Sequence, residues 1–245
     1  MSAEIRLEER LVHAVAGLLD GCGHIAVGVL SPIPGSAALL ARARNGGRVT
    51  IINSDLPDHR SDGGVELFDM AAQGRLDAFF LSGGQIDGQA NINLHGAGDY
   101  PRMGVRWSGA FGSAFLYYVV PRVILFREEH SRRVFVEAVD FVTAPGASDA
   151  EVRRPGGPHA LVTELCVMRF DKERRRFRLQ SLHPGVTLEE VRDRTGFDFD
   201  APETIPETPS PTAEDLALMR GEVAQAIAGT YPGFARSVFG VEAAA

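Results

Sequence analysis

Apolar positions recur at helical spacing through the first twenty residues. Ile5, Leu7, Leu11, Val12, Val15, Leu18 and Leu19 share one face, which predicts an amphipathic helix over 4–19. Gly21-Cys22-Gly23 ends that helix, and the short apolar run over 24–30 predicts a strand. Pro32 and Pro34 break the strand, and a second helix is predicted over 36–44, closed by Asn45-Gly46-Gly47. Strands predicted over 48–53 and 77–81 enclose a helix over 66–73. A small-residue helix over 110–118 then leads to a strand over 122–126. Strand and helix in alternation predict an α/β fold: an open, mostly parallel sheet with helices on both faces. Beyond it the alternation stops. Runs over 135–142, 159–170 and 177–182 read as strands with no helix between them, an antiparallel extension of the sheet.

Toward the end, Thr187 followed three residues later by Glu190 is a capping box that opens a helix over 187–194. Residues 201–211, APETIPETPSP, carry too much proline for regular structure and predict a surface crossing. A last helix starts near Thr212, with Glu214 and Asp215 in its first turn. No repeat or linker divides the chain, so a single domain over 1–245 is expected.

Composition narrows the function classes. With 245 residues and 44% hydrophobic content, the chain has the makeup of an ordinary globular protein. No apolar run approaches the roughly 20 residues a bilayer span needs, and the charged N-terminus has no secretory apolar core, so no membrane partner is expected. Cys22 and Cys166 are the only cysteines, too few for a disulfide scaffold, and a reduced cytoplasm is the expected location. The net charge of −7 argues against a nucleic-acid partner. The seven histidines show no metal-ligand spacing, and no metal is expected. Lys172 is the sole lysine, so any anion site is built from guanidinium forks.

The chemistry concentrates at strand ends, where open α/β sheets hold ligands. After the strand ending VTII comes the polar cluster Asn53-Ser54-Asp55-Leu56-Pro57-Asp58-His59. After the strand AFFL come Ser82-Gly83-Gly84-Gln85-Ile86-Asp87 and then Asn91-Ile92-Asn93. Paired glycines there let backbone N–H groups approach a ligand. Further on, Arg106-Trp107-Ser108-Gly109-Ala110-Phe111-Gly112-Ser113 leads into a helix whose first amides suit an oxyanion or a phosphate. Arg106, Arg132 and Arg133 are candidate partners for a phosphate or carboxylate; Arg132 and Arg133 could as easily brace a subunit interface, and REEHSRR reads more readily as a solvated charged loop than as a ligand clamp. Trp107 is open to two readings, a stacking platform or packing. His183 is explained by a turn after a strand, Cys22 and Cys166 by packing, and Ser113 lies in no G-x-S-x-G elbow.

The order of four segments carries more than any one of them. GRLDAFFLSGGQIDGQANIN, WSGAFGSAF, HSRRVFVEAVDFVTAPG and SLHPGVTLEEVRDRTGFDF together resemble the β subunit of class I CoA-transferases of the glutaconate CoA-transferase type. The resemblance runs from the first helix to the helix near Thr212. It implies an α/β subunit that pairs with a homologous α subunit, often as α2β2, with an acyl-CoA site at the subunit interface. Coenzyme A enters as part of the substrate, and no permanently bound cofactor is implied. On the matching positions, Gly83, Gly84, Gly109 and Gly112 wall the thioester pocket and Gln85 contacts the acyl or pantetheine part.

One position departs from the family. Transferases of this type carry a nucleophilic glutamate after the strand that here reads VTII, and aligned through that strand the position is Asn53. A carboxamide has no charge and its nitrogen is conjugated into the carbonyl, so it cannot form the acyl anhydride. It can orient substrate or water. Relatives without that glutamate include hydrolases that open a cyclic β-keto acyl-CoA in steroid breakdown and decarboxylases of glutaconyl-type CoA esters. Three readings follow: a glutamate-independent acyl-CoA enzyme with Asn53 at the reacting centre; a true transferase with Asp55 as a displaced acid; or a noncatalytic subunit completing the α partner's site. Asp55, Asp58 and His59 are candidate proton-handling groups, beside a carboxylate on the α partner.

Overall fold

The computed structural model describes residues 4–52 and 64–242. Asn53, Asp55, Asp58 and His59 lie outside the described residues. Helix α1 (Leu7–Gly17) buries Leu11, Val12 and Val15, the stripe expected from its spacing. Strand β1 (His24–Ala26) is shorter than the run suggested, because the chain turns at Val29–Leu30, with Leu30 at φ 55. Helix α2 (Pro32–Arg44) then starts four residues earlier than expected. Its prolines do not delay the helix: Pro32 holds the first position, where its fixed φ suits the helix and its missing N–H would have had no partner. Strand β2 (Thr50–Ile52) pairs parallel with β1, Ile25 opposite Ile51. Helix α3 (Val65–Ala72) and strand β3 (Ala78–Leu81) follow, the latter buried at every position.

Two short hairpins come next. Strands β4 (Gln85–Ile86) and β5 (Ile92–Asn93) pair antiparallel, as do β6 (Gly96–Ala97) and β7 (Val105–Arg106). Helix α4 (Ser113–Val119) begins three residues later than its composition implied, because Gly112 takes φ 67 and forms the turn before it. Strand β8 (Arg122–Phe126) matches the expected run. Residues 159–170 are not one strand but two, β9 (Pro158–Val162) and β10 (Cys166–Asp171), paired antiparallel. The hydroxyl of Thr163 folds the turn between them by accepting the N–H groups of Leu165 and Cys166 at 3.2 and 3.3 Å. Strand β11 (Arg176–Leu182) pairs antiparallel with β10. Helices α5 (Leu188–Arg194) and α6 (Ala213–Leu218) have Thr187 and Thr212 as N-caps. Both halves of a capping box form at Thr212 with Asp215. At Thr187 the hydroxyl accepts the Glu190 N–H at 3.1 Å.

Seven strands form a mixed, mostly parallel sheet in the order β11-β10-β9-β8-β3-β1-β2, with β10 antiparallel to both neighbours. The expected strand over 135–142 does not exist. The main chain there serves the β4–β5 hairpin instead: Val136 N–H bonds the Ile86 carbonyl, Asp140 N–H the Gln85 side chain, and Ala144 N–H the Ile92 carbonyl.

The chain divides into two compact units, 1–78 with 209–245, and 79–208. In the first, Asp77 Oδ2 accepts the N–H groups of Gly23 and His24 at 2.8 and 2.9 Å, which pins the start of β1. Glu9, fully buried, meets Arg220 at 2.6 Å, a pairing that satisfies a charge removed from water. Asp215 joins Arg44 (2.8 Å) and His13 (3.2 Å). Burial alone would raise its pKa, but hydrogen bonds from Arg44 and Thr212 outweigh that and bring it to about 2. The second unit holds the glycine-rich segments.

Candidate active site

The corner after β3 is built from close backbone approaches. A Cβ on Gly83 would stand 2.7 Å from Ile92 Cγ2, and one on Gly84 would stand 2.3 Å from the Trp107 ring. Both positions therefore require glycine for packing. Gly84 N–H donates to the Asn93 carbonyl at 2.9 Å, so this amide closes the hairpin rather than facing a ligand. Trp107 reads as packing: its ring covers Gly84, and its main-chain N–H donates to the His95 carbonyl at 3.0 Å.

Asn93 is the hub. Fully buried, its Nδ2 donates to Gln85 Oε1 and to the Gly96 carbonyl, each at 2.7 Å. Its Oδ1 accepts the N–H groups of His95 (2.9 Å) and Gly96 (3.3 Å). The Gln85 oxygen also accepts Asp140 N–H at 3.0 Å, so this side chain braces three segments. Asp87 organises the following turn by accepting Gln89 N–H and Asn91 N–H, each at 3.0 Å, with Ala90 held at φ 60. Tyr117 from α4 donates its buried hydroxyl to the Ala90 carbonyl at 2.8 Å, and burial keeps this phenol well above its ordinary pKa, hence protonated.

The structure thus brings Gly83, Gly84, Gln85, Arg106 and Gly109 together around Asn93–Gly96. Arg106 is exposed, opposite Gly96 in the β6–β7 hairpin, and donates to the Pro101 carbonyl at 2.9 Å. Gly109 abuts Leu94, where an added Cβ would stand 3.3 Å from Cδ2. Gly112 lies just before α4, where its φ of 67 forms the turn into the helix. Sequence reasoning missed Asn93 as the hub and missed an aromatic group beside it. His95 lies 4.7 Å from Phe141 and 5.8 Å from Tyr100 between ring centroids, and its buried Nε2 has no hydrogen-bond partner among the described residues. The Asn-x-Asn spacing after a Gly-Gly-Gln turn was the available signal for the hub. The arrangement is a sterically crowded corner with one unsatisfied ring nitrogen, that of His95, set beside two aromatic rings.

The HSRR and LHPG segments are structural. Thr195 Oγ1 donates to the Val191 carbonyl at 2.6 Å, so it accepts from His130 Nε2–H at 2.9 Å. His130 Nδ1 therefore accepts from Thr163 Oγ1 at 2.8 Å, and the ring is fixed as one neutral tautomer. Burial first, and repulsion from Arg194 second, lower its pKa to about 4. His183 is likewise buried, with Nε2 on the Thr163 carbonyl at 2.9 Å and Nδ1 on Thr208 Oγ1 at 3.0 Å. Around them, Arg133 and Arg127 pair with Glu129, and Arg132 Nε donates to the Asp193 carbonyl at 2.6 Å. Cys22 and Cys166 are buried free thiols, and burial pushes Cys166 up to about 12. Among the described residues no group of side chains is fit to hold a metal, and no helix is long and apolar enough to cross a membrane.

Comparison with known proteins bears on the same segments. A family model described as Coenzyme A transferase matches residues 13–194. The B-type subunit of the 3-oxoadipate CoA-transferase of Pseudomonas knackmussii is 36% identical over 153 residues, covering 60% of this chain and 58% of that protein. The B-type subunit of the glutaconate CoA-transferase of Acidaminococcus fermentans is 32% identical, over 59% of this chain and 56% of that one. The match thus spans under two thirds of the length of these two relatives. The cholesterol ring-cleaving hydrolase IpdB subunit of Rhodococcus jostii is 29% identical over 239 residues, covering 89% of this chain and 92% of that subunit. Among solved structures, Rhodococcus jostii IpdAB superposes with a TM-score of 0.78 at 27% identity, over 89% of this chain and 94% of that one. The decarboxylase AibA/AibB superposes with a TM-score of 0.75 at 25% identity, over 97% of this chain and 100% of that one.

Proposed function

The chain belongs to the Coenzyme A transferase family, and on that premise we propose that it is the B-type subunit of a cytoplasmic enzyme that acts on an acyl-CoA thioester without a covalent glutamyl intermediate, by hydrolytic opening of a carbon–carbon bond in a cyclic β-keto acyl-CoA. The observation that carries this reading is Asn53 at the position where a transferase of the family needs its glutamate. Alignment with the ring-cleaving hydrolase subunit over nearly its whole length, against under two thirds for the two transferase subunits, supports the same branch.

The chemistry such a site performs has three parts. Water adds to the ring ketone, the carbon–carbon bond breaks toward the thioester enolate, and a proton returns to the α carbon, leaving a new carboxylate. The developing enolate needs fixed donors and the water needs orientation. In this reading Asn53 orients the water, the corner around Gly83, Gly84, Gln85 and Gly109, with Gly112 at the start of α4, walls the thioester, and Arg106 meets an anionic part of the substrate. Asp55 and a carboxylate of a homologous α subunit are the candidates for the proton; α2β2 is the proposed assembly. Coenzyme A is a portion of the substrate, with no resident cofactor.

The test is co-expression with the homologous α partner, gel filtration of the complex, and mass spectrometry of products from cyclic β-keto, diacid and 3-oxoacid CoA esters in water containing oxygen-18. Ring opening with one heavy oxygen in the new carboxylate is the expected result. CoA transfer to an added carboxylate would replace this reading with the transferase one. Loss of carbon dioxide would select the decarboxylase, and unchanged turnover in Asn53→Ala the noncatalytic subunit.

A further inference from the structure

Away from the glycine corner, the sheet carries a group of neighbouring basic side chains. Arg122 opens β8, His159 is the second residue of β9, Arg169 lies on β10 and Lys172 follows its end. Because β8 and β9 run parallel, Arg122 and His159 mark the amino ends of these strands, opposite the carboxyl ends where sheets of this class hold substrate. Arg169 faces Arg178 directly across the β10–β11 ladder, a like-charge pair that destabilises a bare sheet.

Arg169, Lys172 and Arg154 donate their hydrogen bonds to neutral acceptors. Arg169 donates to His159 Nε2 and, at 2.5 Å, to Gln180 Oε1. Lys172 reaches the Pro121 and Gly156 carbonyls, at 3.4 and 3.5 Å. Arg154 lies over the Tyr117 ring at 5.1 Å and donates to the Tyr117 carbonyl at 3.0 Å, while its buried Nε and Nη1 have no partner among the described residues. Among the described residues no carboxylate pairs with Arg154, His159, Arg169, Lys172 or Arg178. Asp171, next to Lys172 in sequence, accepts the N–H groups of Glu173 and Arg174. Burial and repulsion from neighbouring cations together hold His159 and Arg169 below their ordinary pKa values, with His159 at about 4. By contrast, the cavity of about 420 Å³ beside Arg132, Arg176 and Arg192 has Asp198 in its own wall, and its Arg176 pairs with Asp200 at 3.1 Å.

Beside the cluster opens a cavity of about 370 Å³ lined by Arg169, Arg178, Gln180, Leu179, Pro202 and Thr204 among others. Guanidinium and ammonium groups only donate, so a site made of them calls for a ligand that only accepts. We propose that Arg154, His159, Arg169 and Lys172, with Arg122 and Arg178 at the edges, bind a phosphate dianion, and that the adjoining groove takes the organic part of a phosphorylated small molecule. Free phosphate and the phosphates of coenzyme A share this chemistry. The inference does not depend on the acyl-CoA reaction.

The test uses the assembled complex and isothermal titration with inorganic phosphate and, separately, adenosine 3′,5′-bisphosphate, at ionic strength held constant with chloride. Saturable binding in either arm is expected, weakened at least tenfold by Arg169→Gln and by Lys172→Gln and unaffected by Arg132→Gln. Tighter binding of the bisphosphate marks the coenzyme as the source; equal binding marks free phosphate. Lys172 is exposed, so its variant keeps the fold if Arg169→Gln does not. A ring-proton titration of His159 should show its pKa rise by at least one unit when phosphate is present. No saturable binding in either arm, or binding equal in Lys172→Gln, overturns the proposal.

Discussion

The ring of Trp107 occupies the space that a side chain on Gly84 would need, with an added Cβ 2.3 Å from the indole. Asn93 accepts the Gly84 N–H on its carbonyl and binds Gln85 through its side chain, so one face of this corner is set by sterics and the other by hydrogen bonds. Gly84→Ala should therefore destabilise the chain by about 1–3 kcal/mol through overpacking. In a Trp107→Ala background the same change should cost under about 0.5 kcal/mol, since the obstacle is gone. Chemical denaturation of the four variants in a double-mutant cycle measures the coupling.

Asn93→Ala should be more damaging than any exposed substitution nearby. It removes the partner of the Gly96 carbonyl and of the His95 and Gly96 N–H groups, all in a buried setting, at a cost of about 2–4 kcal/mol. Thermal unfolding checks the loss, and Asn93→Asp should not restore it, because a carboxylate cannot donate to Gln85 Oε1.

Acid should weaken the fold through His130. Its pKa of about 4 in the folded chain lies below the unfolded value near 6.5, so the unfolded state binds the extra proton. Stability is then full above pH ~6.5 and falls as pH drops from there toward 4, by on the order of 3 kcal/mol. His159 shifts in the same direction and adds to the slope. His130→Gln, which keeps a donor toward Thr195, should flatten the profile between pH ~6.5 and 4 in urea titrations. An unchanged slope would show that the ring is not held neutral.

Both thiols should be silent in the native chain. Cys166 is fully buried and held near 12, and Cys22 is buried behind the end of α1. A thiol-reactive dye should count no thiols at pH 8 in buffer and two after denaturation.

The legible part of this chain was the part whose neighbours are local in sequence. Val123-Ile124-Leu125 reads as a strand because it is buried on both faces, and Thr212 with Asp215 reads as a helix start because the cap lies within one turn. Pro32 misled because proline breaks a helix inside but opens one at its first position. The stretch 135–142 has strand-like alternation, yet its backbone bonds go to Gln85 and the β4–β5 hairpin, a long-range choice that alternation does not encode. At the corner, the glycines were legible, but their purpose was not: close approach to Trp107 and Ile92 leaves the same residue type as close approach to a ligand. The tautomer of His130 depends on three hydroxyl and carbonyl partners from distant elements and has no sequence signature.

The most direct measurement follows the acyl group itself. The complex with its α partner is incubated with a CoA ester that it turns over, then treated with hydroxylamine or borohydride, and this chain is mapped by peptide mass spectrometry. Turnover with no acyl or CoA adduct on any residue of the chain, and a roughly ten- to hundredfold drop in kcat on Asn53→Ala, is the predicted result. A trapped adduct on Asp55, or on any other acid of this chain, would contradict an Asn53-centred, glutamate-independent reaction.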